Sequence, residues 1–253
     1  MKTFSILGTG WLGLALAKEL KNDYNVRVSI RDLEKEKPMI NEGLSPYLLD
    51  EDNLENIDTL LESDFIFINF PPRKSKNYIG FLDKIYSNIK SKNKKVIFIS
   101  STSIYSNKEG IYNENSTLNE LNSSLVYKAE ELVKSKTDVI FRCSGLMGYN
   151  RVAGRYFAGK TLDCEDSKIN YVHRDDVIEA VKFVIENNIN GIFNLCSKNH
   201  PTKKEIYTYN AKKFGFKEVI FKDKKDYGNR IIDGSKIERL GFRYKYPNPL
   251  DYP

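Results

Sequence analysis

The sequence has few of the residues that mark a small, cross-linked secreted protein or a metal-binding one. It holds three cysteines in 253 residues, Cys143, Cys164 and Cys196, and their spacing matches neither a CxxC redox pair nor a zinc site. Disulfides are not needed, because a chain of this length can bury a substantial core. We therefore expect no metal site and a reducing, cytoplasmic setting.

Long apolar stretches and a strong charge excess are also missing. No run approaches the roughly 20 residues of a membrane span, and the N-terminus leads directly into a strand-like segment without a signal-peptide pattern. The 40 basic and 34 acidic residues leave a net charge of +6. The dense basic runs, 90–95 and 222–225, are short and lack interleaved aromatic residues, which is typical of solvated surface. We expect no membrane and no nucleic-acid partner; salt-sensitive nucleic-acid binding stays as an alternative that rests on the charge alone.

The chain does contain short β-branched or aromatic apolar runs that alternate with helical segments. This alternation predicts a doubly wound parallel α/β sheet, a Rossmann fold. The seven predicted strands are 3–7, 25–30, 46–49, 65–70, 95–100, 139–142 and 192–195. The six predicted helices are 12–21, 53–61, 78–89, 123–135, 175–187 and 203–214. Residues 1–150 are expected to form the dinucleotide-binding domain, and 151–253 the remaining sheet elements with a small C-terminal substrate lobe that is not an independent domain.

A glycine-rich loop follows the first predicted strand and opens the first predicted helix. Gly8 suits the tight turn, Gly10 the approach of the backbone to a pyrophosphate, and Gly13 the packing of helix on strand. Together with Trp11 and Leu12, these residues are predicted to bind the phosphates of a dinucleotide at the positive end of the helix dipole. The alternative is an ordinary strand-to-helix turn that uses glycine only for its φ angle.

The end of the second predicted strand indicates which dinucleotide is bound. Arg31 precedes Asp32 there, and an arginine can pair with the 2′-phosphate of NADP(H), whereas an acidic residue accepts from the 2′-hydroxyl of NAD(H). We therefore expect NADP(H), with NAD(H) as the alternative if Asp32 contacts the ribose. Further cofactor contacts are expected from Phe70 and Pro71 after the fourth strand and from Ser100 at the end of the fifth.

Six motifs, in their order along nearly the whole chain, resemble the extended short-chain dehydrogenase/reductase superfamily. Within it, the chain is most similar to compact, atypical members, the NAD-dependent epimerase/dehydratase-like proteins. The motifs are GTGWLG at 8–13, ISSTSIY at 99–105, FRCSGLMGY at 141–149, INYVHRDD at 169–176, GIFNL at 191–195 and LGFRYKYP at 240–247.

The resemblance implies a catalytic serine, but this sequence lacks the family's usual proton-transfer pair. Ser101 occupies the position that hydrogen-bonds the reacting oxygen in the family, although a serine-rich loop can also satisfy its own backbone. The family's tyrosine and lysine stand four residues apart on the next helix, and Tyr127 is followed at that distance by Glu131, whose charge opposes loss of a tyrosine proton. A second alignment places the pair on Asn122 and Val126, which transfer no proton. Either way the pair is missing.

Other groups are candidates for the chemistry. His173 suits acid or base catalysis near neutral pH, or it hydrogen-bonds the adjacent helix start. Tyr127 is retained as a catalytic candidate. Tyr105, Tyr149 and Arg151 are expected to contact the substrate, although the last two are also compatible with a solvent-facing loop.

Together these features predict an NAD(P)-dependent oxidoreductase or epimerase/dehydratase-like enzyme. Its substrate would be a small polar molecule, with sugar-like compounds among the candidates. The proton donor stays open among Ser101, Tyr105, Tyr127, His173 and water. The alternative is a non-catalytic NADP(H)-binding sensor or regulatory protein, which the missing tyrosine–lysine pair favours.

Overall fold

The computed structural model of the chain describes residues 1–90, 93–118, 124–222 and 229–253. The strands are β1 Thr3–Leu7, β2 Asn25–Ile30, β3 Ser45–Leu48, β4 Phe65–Ile68, β5 Lys95–Ser101, β6 Gly110–Tyr112, β7 Val139–Cys143, β8 Gly145–Met147, β9 Thr161–Leu162, β10 Tyr171–His173, β11 Gly191–Leu195, β12 Ile220–Phe221 and β13 Arg230–Ile232. The α-helices are α1 Trp11–Leu20, α2 Glu36–Asn41, α3 Ile57–Leu61, α4 Tyr78–Ser87, α5 Leu125–Val133, α6 Arg174–Glu186, α7 Lys203–Phe214 and α8 Ser235–Arg239. Short 3₁₀ turns cover Leu33–Lys35, Pro72–Lys74, Thr102–Ile104, Lys134–Lys136, Arg155–Phe157 and Pro249–Asp251.

A seven-stranded parallel sheet flanked by helices carries the fold, in the order β11-β7-β5-β4-β1-β2-β3. This order is that of a doubly wound Rossmann sheet, so the predicted fold class is confirmed. Strand β1 lies between β2 and β4, with Phe4 beside Val26 on one side and Phe65 on the other. Strand β4 is apolar at every position because a central parallel strand is buried on both faces, whereas β1 and β2 also bury Ser5 and Ser29.

The helices follow the apolar spacing and the capping residues of the sequence. In α1, Leu12, Leu16 and Leu20 are buried at intervals of four residues and so form one face. Helix α7 begins with a capping box between Thr202 and Glu205 and ends at Gly215, whose left-handed backbone stops the helix.

Several elements differ from the prediction. The helix expected over 53–61 begins only at Ile57, because Asp50 and Asn53 bond nearby backbone N–H groups and hold the preceding segment in turns. Strand β4 stops at Ile68, before the prolines at 71 and 72. The predicted start of the fifth helix at Ser123 lies outside the described residues, and α5 begins at Leu125 with Ser124 as its N-cap.

The chain divides into two compact units. The first unit comprises Met1–Ser100, Glu120–Phe141 and Val184–Gly191, and the second comprises Ser101–Asn119, Arg142–Phe183 and Ile192–Pro253. The chain therefore passes repeatedly from one unit to the other. The division at residue 150 that the sequence suggests stays a prediction.

The second unit contains short parallel strand pairs that sequence patterning did not predict: β8 with β10, β9 with β12, and β6 with β13. Strands of two or three residues are too short to show a period of two. Residues of the first two pairs pack against a hydrophobic cluster of buried side chains, namely Ala153, Ile169, Ile206, Tyr207 and Val219. Within the described ranges, no helix combines the length and apolar character needed to cross a membrane.

Candidate functional site

The glycine-rich loop lies in the first unit, and two of its glycines are required by packing. Gly8 has a φ of 105°, and a Cβ built on it would lie 2.6 Å from the carbonyl oxygen of Asn69. A Cβ on Gly13 would lie 2.3 Å from the carbonyl oxygen of Gly8. Ser29 holds the turn from the next strand, because its Oγ accepts a hydrogen bond of 2.8 Å from the N–H of Gly8. The turn therefore packs so closely on the neighbouring backbone that neither Gly8 nor Gly13 has room for a side chain.

Gly10 differs from the other two glycines, because a Cβ built on it would have no heavy atom within 4 Å. Its φ of −87° is one that other residues adopt. The residue is the N-cap of α1, and no side chain caps that helix end. The open space thus faces a helix N-terminus, which is a favourable place for an anionic group. The loop fits the diphosphate of a dinucleotide on its own geometry.

An open cleft of about 130 Å³ begins at this loop. Of the predicted cofactor residues, Gly8, Gly10, Arg31, Phe70 and Pro71 line it. The remaining lining residues are Thr9, Ser29, Ile30, Lys35, Met39 and Asn69. Lys35 and Met39 were missed by the sequence analysis, because the short α2 region that carries them was not predicted.

The other predicted cofactor residues do not line this cleft. Trp11, Leu12 and Gly13 begin α1, and Leu12 and Gly13 are buried in its packing face. Ser100 is buried at the end of β5, where its hydroxyl donates a 2.6 Å hydrogen bond to Oε2 of Glu130.

Arg31 and Asp32 have different partners at the far end of the cleft. The guanidinium carbon of Arg31 lies 5.8 Å from the centre of the Phe70 ring, a cation–π distance. The carboxylate of Asp32 caps the following 3₁₀ turn by accepting from the N–H of Glu34 at 2.9 Å. Arg31 and Lys35 both line the cleft, so this end presents two cations.

Helix α5 places a buried carboxylate, and no tyrosine–lysine pair, beside β5. Glu130, with 1 % of its surface exposed, receives the hydrogen bond from Ser100. Tyr127 is half-buried, and Glu131 forms a 2.7 Å ion pair with Lys134. Glu130 was not among the predicted site residues. The sequence signal is its position: Glu130 adjoins Ala129 and lies three residues before Val133, and both of these apolar residues belong to the buried face of α5.

Ser101 and Tyr105 lie in the second unit, and both have protein partners. Oγ of Ser101 accepts a 3.1 Å hydrogen bond from the N–H of Ser103, which is the local role foreseen as the alternative. Tyr105 has no exposed surface. Its hydroxyl donates to Oδ1 of Asn194 at 2.8 Å and accepts from Nη1 of Arg142 at 2.7 Å. This arrangement favours a structural role for Tyr105 over the expected substrate contact.

His173 is also fully buried. Its Nδ1 accepts a 3.3 Å hydrogen bond from the N–H of Asp175, and Nε2 finds no partner among the residues that the structure describes. Burial lowers its pKa to about 4, because a desolvated imidazole resists protonation. The ring packs on Tyr246, with the ring centres 4.1 Å apart. These contacts favour the helix-start role that was the alternative to acid–base catalysis.

Tyr149 and Arg151 are the exposed members of the predicted substrate set. Tyr149 keeps 42 % of its surface exposed, donates its hydroxyl to Asp175 and lies 4.3 Å from the guanidinium carbon of Arg174. Arg151 is exposed and shares a tight turn with Gly148. Of the predicted catalytic residues, Tyr127 belongs to the first unit, and Ser101 and His173 belong to the second.

The strand order and the glycine loop at the start of α1 define a Rossmann-fold protein. The fold is similar to that of UDP-glucuronic acid 4-epimerase from Bacillus cereus in complex with NAD, with 18% identity and a TM-score of 0.79 over 99% of this chain and 95% of that chain. It is also similar to that of UDP-N-acetylglucosamine 4-epimerase from the same organism, with 19% identity and a TM-score of 0.76 over 99% of this chain and 97% of that chain. The chain belongs to the family of the protein YeeZ from Escherichia coli strain K12, to which it is 32% identical over 273 residues, covering 100% of this chain and 99% of the relative. No family model matches the chain.

Proposed function

We propose that the protein is an NAD(P)-dependent oxidoreductase of the epimerase/dehydratase type that acts on a small polar, sugar-like substrate. The observation that carries this proposal is the open position at Gly10 beside an uncapped helix N-terminus, in a cleft that Arg31, Phe70 and Pro71 also line. Two sugar-nucleotide epimerases with the same fold, one of them in complex with NAD, support the cofactor type and the substrate class.

Different residues of the first unit would hold the diphosphate and the adenosine half of such a cofactor. The backbone at Gly10 and the start of α1 would receive the diphosphate, and Phe70 and Pro71 would lie along the adenosine half. A bound nicotinamide would supply the hydride donor or acceptor.

Arg31 and Lys35 support NADP(H) as the preferred cofactor. Both cations line the adenosine end of the cleft, whereas Asp32 is occupied as the cap of a 3₁₀ turn. A 2′-phosphate would gain charge-assisted hydrogen bonds from the guanidinium group. The cofactor preference is therefore assigned to Arg31 rather than Asp32.

Titration of the protein with NADPH and NADH by fluorescence tests this assignment. NADPH is expected to bind more tightly, and Arg31→Ala to reduce the difference by roughly tenfold or more. Asp32→Asn is the matched control and should preserve the preference. Equal affinities for the two cofactors in the unmodified protein would overturn the assignment.

Ser101 would hold the reacting oxygen of the substrate. Its Oγ accepts from Ser103, which leaves its own proton to donate to a substrate oxygen. Because Tyr105 and His173 are fully buried, the proton for the reaction would come from Ser101, Tyr127 or water. The second candidate function is a non-catalytic NADP(H) sensor, which the absence of a tyrosine–lysine pair on α5 favours.

Two measurements separate the two functions: oxidation of NADPH by aldehydes and ketones, and conversion of nucleotide sugars to isomeric or dehydrated products in the presence of oxidised cofactor. The second is needed because an epimerase or dehydratase regenerates its cofactor in each turnover. An enzyme should turn over at least one substrate of the panel, and Ser101→Ala should lower kcat about 10²-fold. Ser103→Ala, an exposed change in the same loop, should leave kcat nearly unchanged. Tight NADPH binding with no turnover across the panel would instead support the sensor.

A further inference from the structure

The positive charge of the protein is concentrated in two segments of the second unit. Residues 151–162 and 203–222 contain nine Lys and Arg but only two Glu, a net charge of +7, whereas the whole chain carries +6. The rest of the chain is therefore close to neutral. The same two segments contain seven Tyr and Phe residues.

These segments fold against each other. Strand β9 of the first pairs with β12 of the second, and the rings of Phe157 and Tyr207 stack with their centres 6.0 Å apart. Tyr156 and Tyr209 keep 79 % and 45 % of their surfaces exposed. The fold thus brings cations and rings of two distant segments close together.

Cations and aromatic rings alternate on that surface. Lys213 lies 5.8 Å from the ring of Tyr209 and 5.2 Å from that of Phe214, and Arg155 lies 5.5 Å from the Phe214 ring. Next to Arg155 in sequence, the ring of Tyr156 lies 4.2 Å from Lys160. We name this set the basic aromatic face: Arg155, Tyr156, Lys160, Tyr209, Lys213 and Phe214.

The charge of this face is not neutralised by the carboxylates that the structure describes. Arg155, Lys160 and Lys213, like the exposed Lys212 and Lys217 near them in sequence, form no ion pair with a carboxylate within the described ranges. At the other end of α7, by contrast, Lys204 pairs with Glu165 at 2.8 Å. Uncompensated cations attract anions, and the attraction falls with salt.

The composition and openness of the face indicate the kind of anion. Four of the five cations are lysines, a residue depleted from protein–protein interfaces but common where phosphates are bound. The half-buried Phe214 lines only a small cavity, and Tyr156, Tyr209 and Lys160 are not among the residues of that cavity. An open face suits a polymer that makes many weak contacts better than a small molecule, which needs a pocket.

We propose that the basic aromatic face binds single-stranded nucleic acid, with Tyr156 and Tyr209 stacking on bases and the surrounding cations contacting phosphates. Base stacking on exposed rings with cations along the backbone is the general mode of binding without sequence preference. The cations of this face lie outside the two basic runs of the sequence, and the fold places Arg155 beside the ring of Phe214 from a distant segment. The face binds independently of the proposed cofactor site.

Fluorescence anisotropy with a labelled oligouridylate of about 12 nucleotides tests the proposal. At about 50 mM salt the full-length protein should bind with a micromolar Kd, and log K should fall with log salt with a slope of about −3, as expected for four or five phosphate contacts. Lys160→Gln combined with Lys217→Gln should reduce the slope by about 1.4. The matched control, Lys203→Gln with Lys204→Gln in the first turn of α7, should leave the slope nearly unchanged.

The ring is tested separately from the charge. Tyr156→Ala should weaken binding roughly tenfold without changing the salt slope, and Tyr156→Phe should retain the affinity. Melting temperature and NADPH affinity, measured on the same variants, should not change. These readouts separate loss of stacking from loss of folding or of the cofactor site.

Four results would overturn the proposal. The first is absence of oligonucleotide binding at about 50 mM salt. The second is binding that the lysine and tyrosine variants leave unchanged, and the third is equally tight binding of a duplex of the same length. The fourth is a stronger response to another ligand, whether uridine monophosphate or vesicles containing phosphatidylserine.

Discussion

Gly8, Gly10 and Gly13 belong to one loop but are glycines for different reasons. At Gly8 and Gly13 a Cβ would collide with backbone carbonyl oxygens, whereas at Gly10 it would enter open space. Packing within the protein therefore requires glycine at two positions. At the third, the requirement would come from a ligand.

Alanine substitutions distinguish these reasons. Gly10→Ala should change the free energy of unfolding by no more than about 1 kcal/mol and should lower NADPH affinity at least about tenfold, because the methyl group occupies the path of the diphosphate. Gly13→Ala should destabilise the protein by about 2 kcal/mol or more, since its Cβ meets backbone. Thermal unfolding and fluorescence titration measure both effects. Unchanged cofactor affinity in Gly10→Ala would contradict the placement of the diphosphate.

At the scale of elements, the junction of β10 and α6 contains two buried titratable groups. His173 ends β10, and Asp176 lies in the first turn of α6. Burial lowers the pKa of His173 to about 4 and raises that of Asp176 to about 6, because both lose hydration of the charged form. The Asp176 carboxylate accepts hydrogen bonds from the N–H groups of Lys245 and Tyr246, so it ties the C-terminal segment to α6.

These shifts make opposite contributions to stability as pH changes. The contribution of His173 to the free energy of unfolding is present above about pH 6.5 and is lost as pH falls towards 4. The reason is that the histidine of the unfolded state binds its proton at a higher pH than that of the folded state. The Asp176 contribution is present below about pH 4 and is lost as pH rises through 6, because the folded state keeps the proton longer. Between pH 4 and 6 the two slopes oppose each other.

Asp176→Asn should therefore make the free energy of unfolding rise more steeply between pH 4 and 6 than in the unmodified protein. The difference accumulated across that interval is expected to reach about 2 kcal/mol. Urea denaturation at a series of pH values measures it. Asp251→Asn, which changes an exposed carboxylate, serves as the control. Parallel pH profiles for the unmodified protein and Asp176→Asn would show that Asp176 ionises normally in the folded state.

At the scale of the whole molecule, the thiols report on global unfolding. Cys143 and Cys196 are buried in the core, and burial raises the pKa of each thiol to about 12, whereas Cys164 is half-buried. A buried, protonated thiol is a poor nucleophile. The reactivity of two of the three cysteines thus depends on the integrity of the fold.

Ellman's reagent at pH 8 should modify at most Cys164 in the native protein and all three cysteines in guanidinium. Cys164→Ser should abolish the native reaction and leave two reactive thiols after unfolding. Reductant should not change the melting temperature, because the three cysteines are free. Rapid modification of Cys143 or Cys196 under native conditions would show that the core opens locally.

The central strands could be predicted because their signal is local. A strand such as β4, with the sequence FIFI, is buried on both faces and is apolar at every position. The glycine loop was equally accessible, since turn, strand and helix adjoin in sequence. Short strands and helices were missed because two to six residues show no period, and their stability comes from distant partners.

The parallel α/β fold and the glycine loop can be derived from the amino-acid sequence, because both depend on neighbours along the chain. The surroundings of individual polar side chains are known only from the folded chain. Tyr105 is bonded by Asn194 and Arg142, Ser100 by Glu130, and the rings beside Arg155 come from a segment some sixty residues away. Burial and hydrogen bonding depend on which distant segments meet, so a tyrosine in a family motif can be core while scattered lysines become one charged surface.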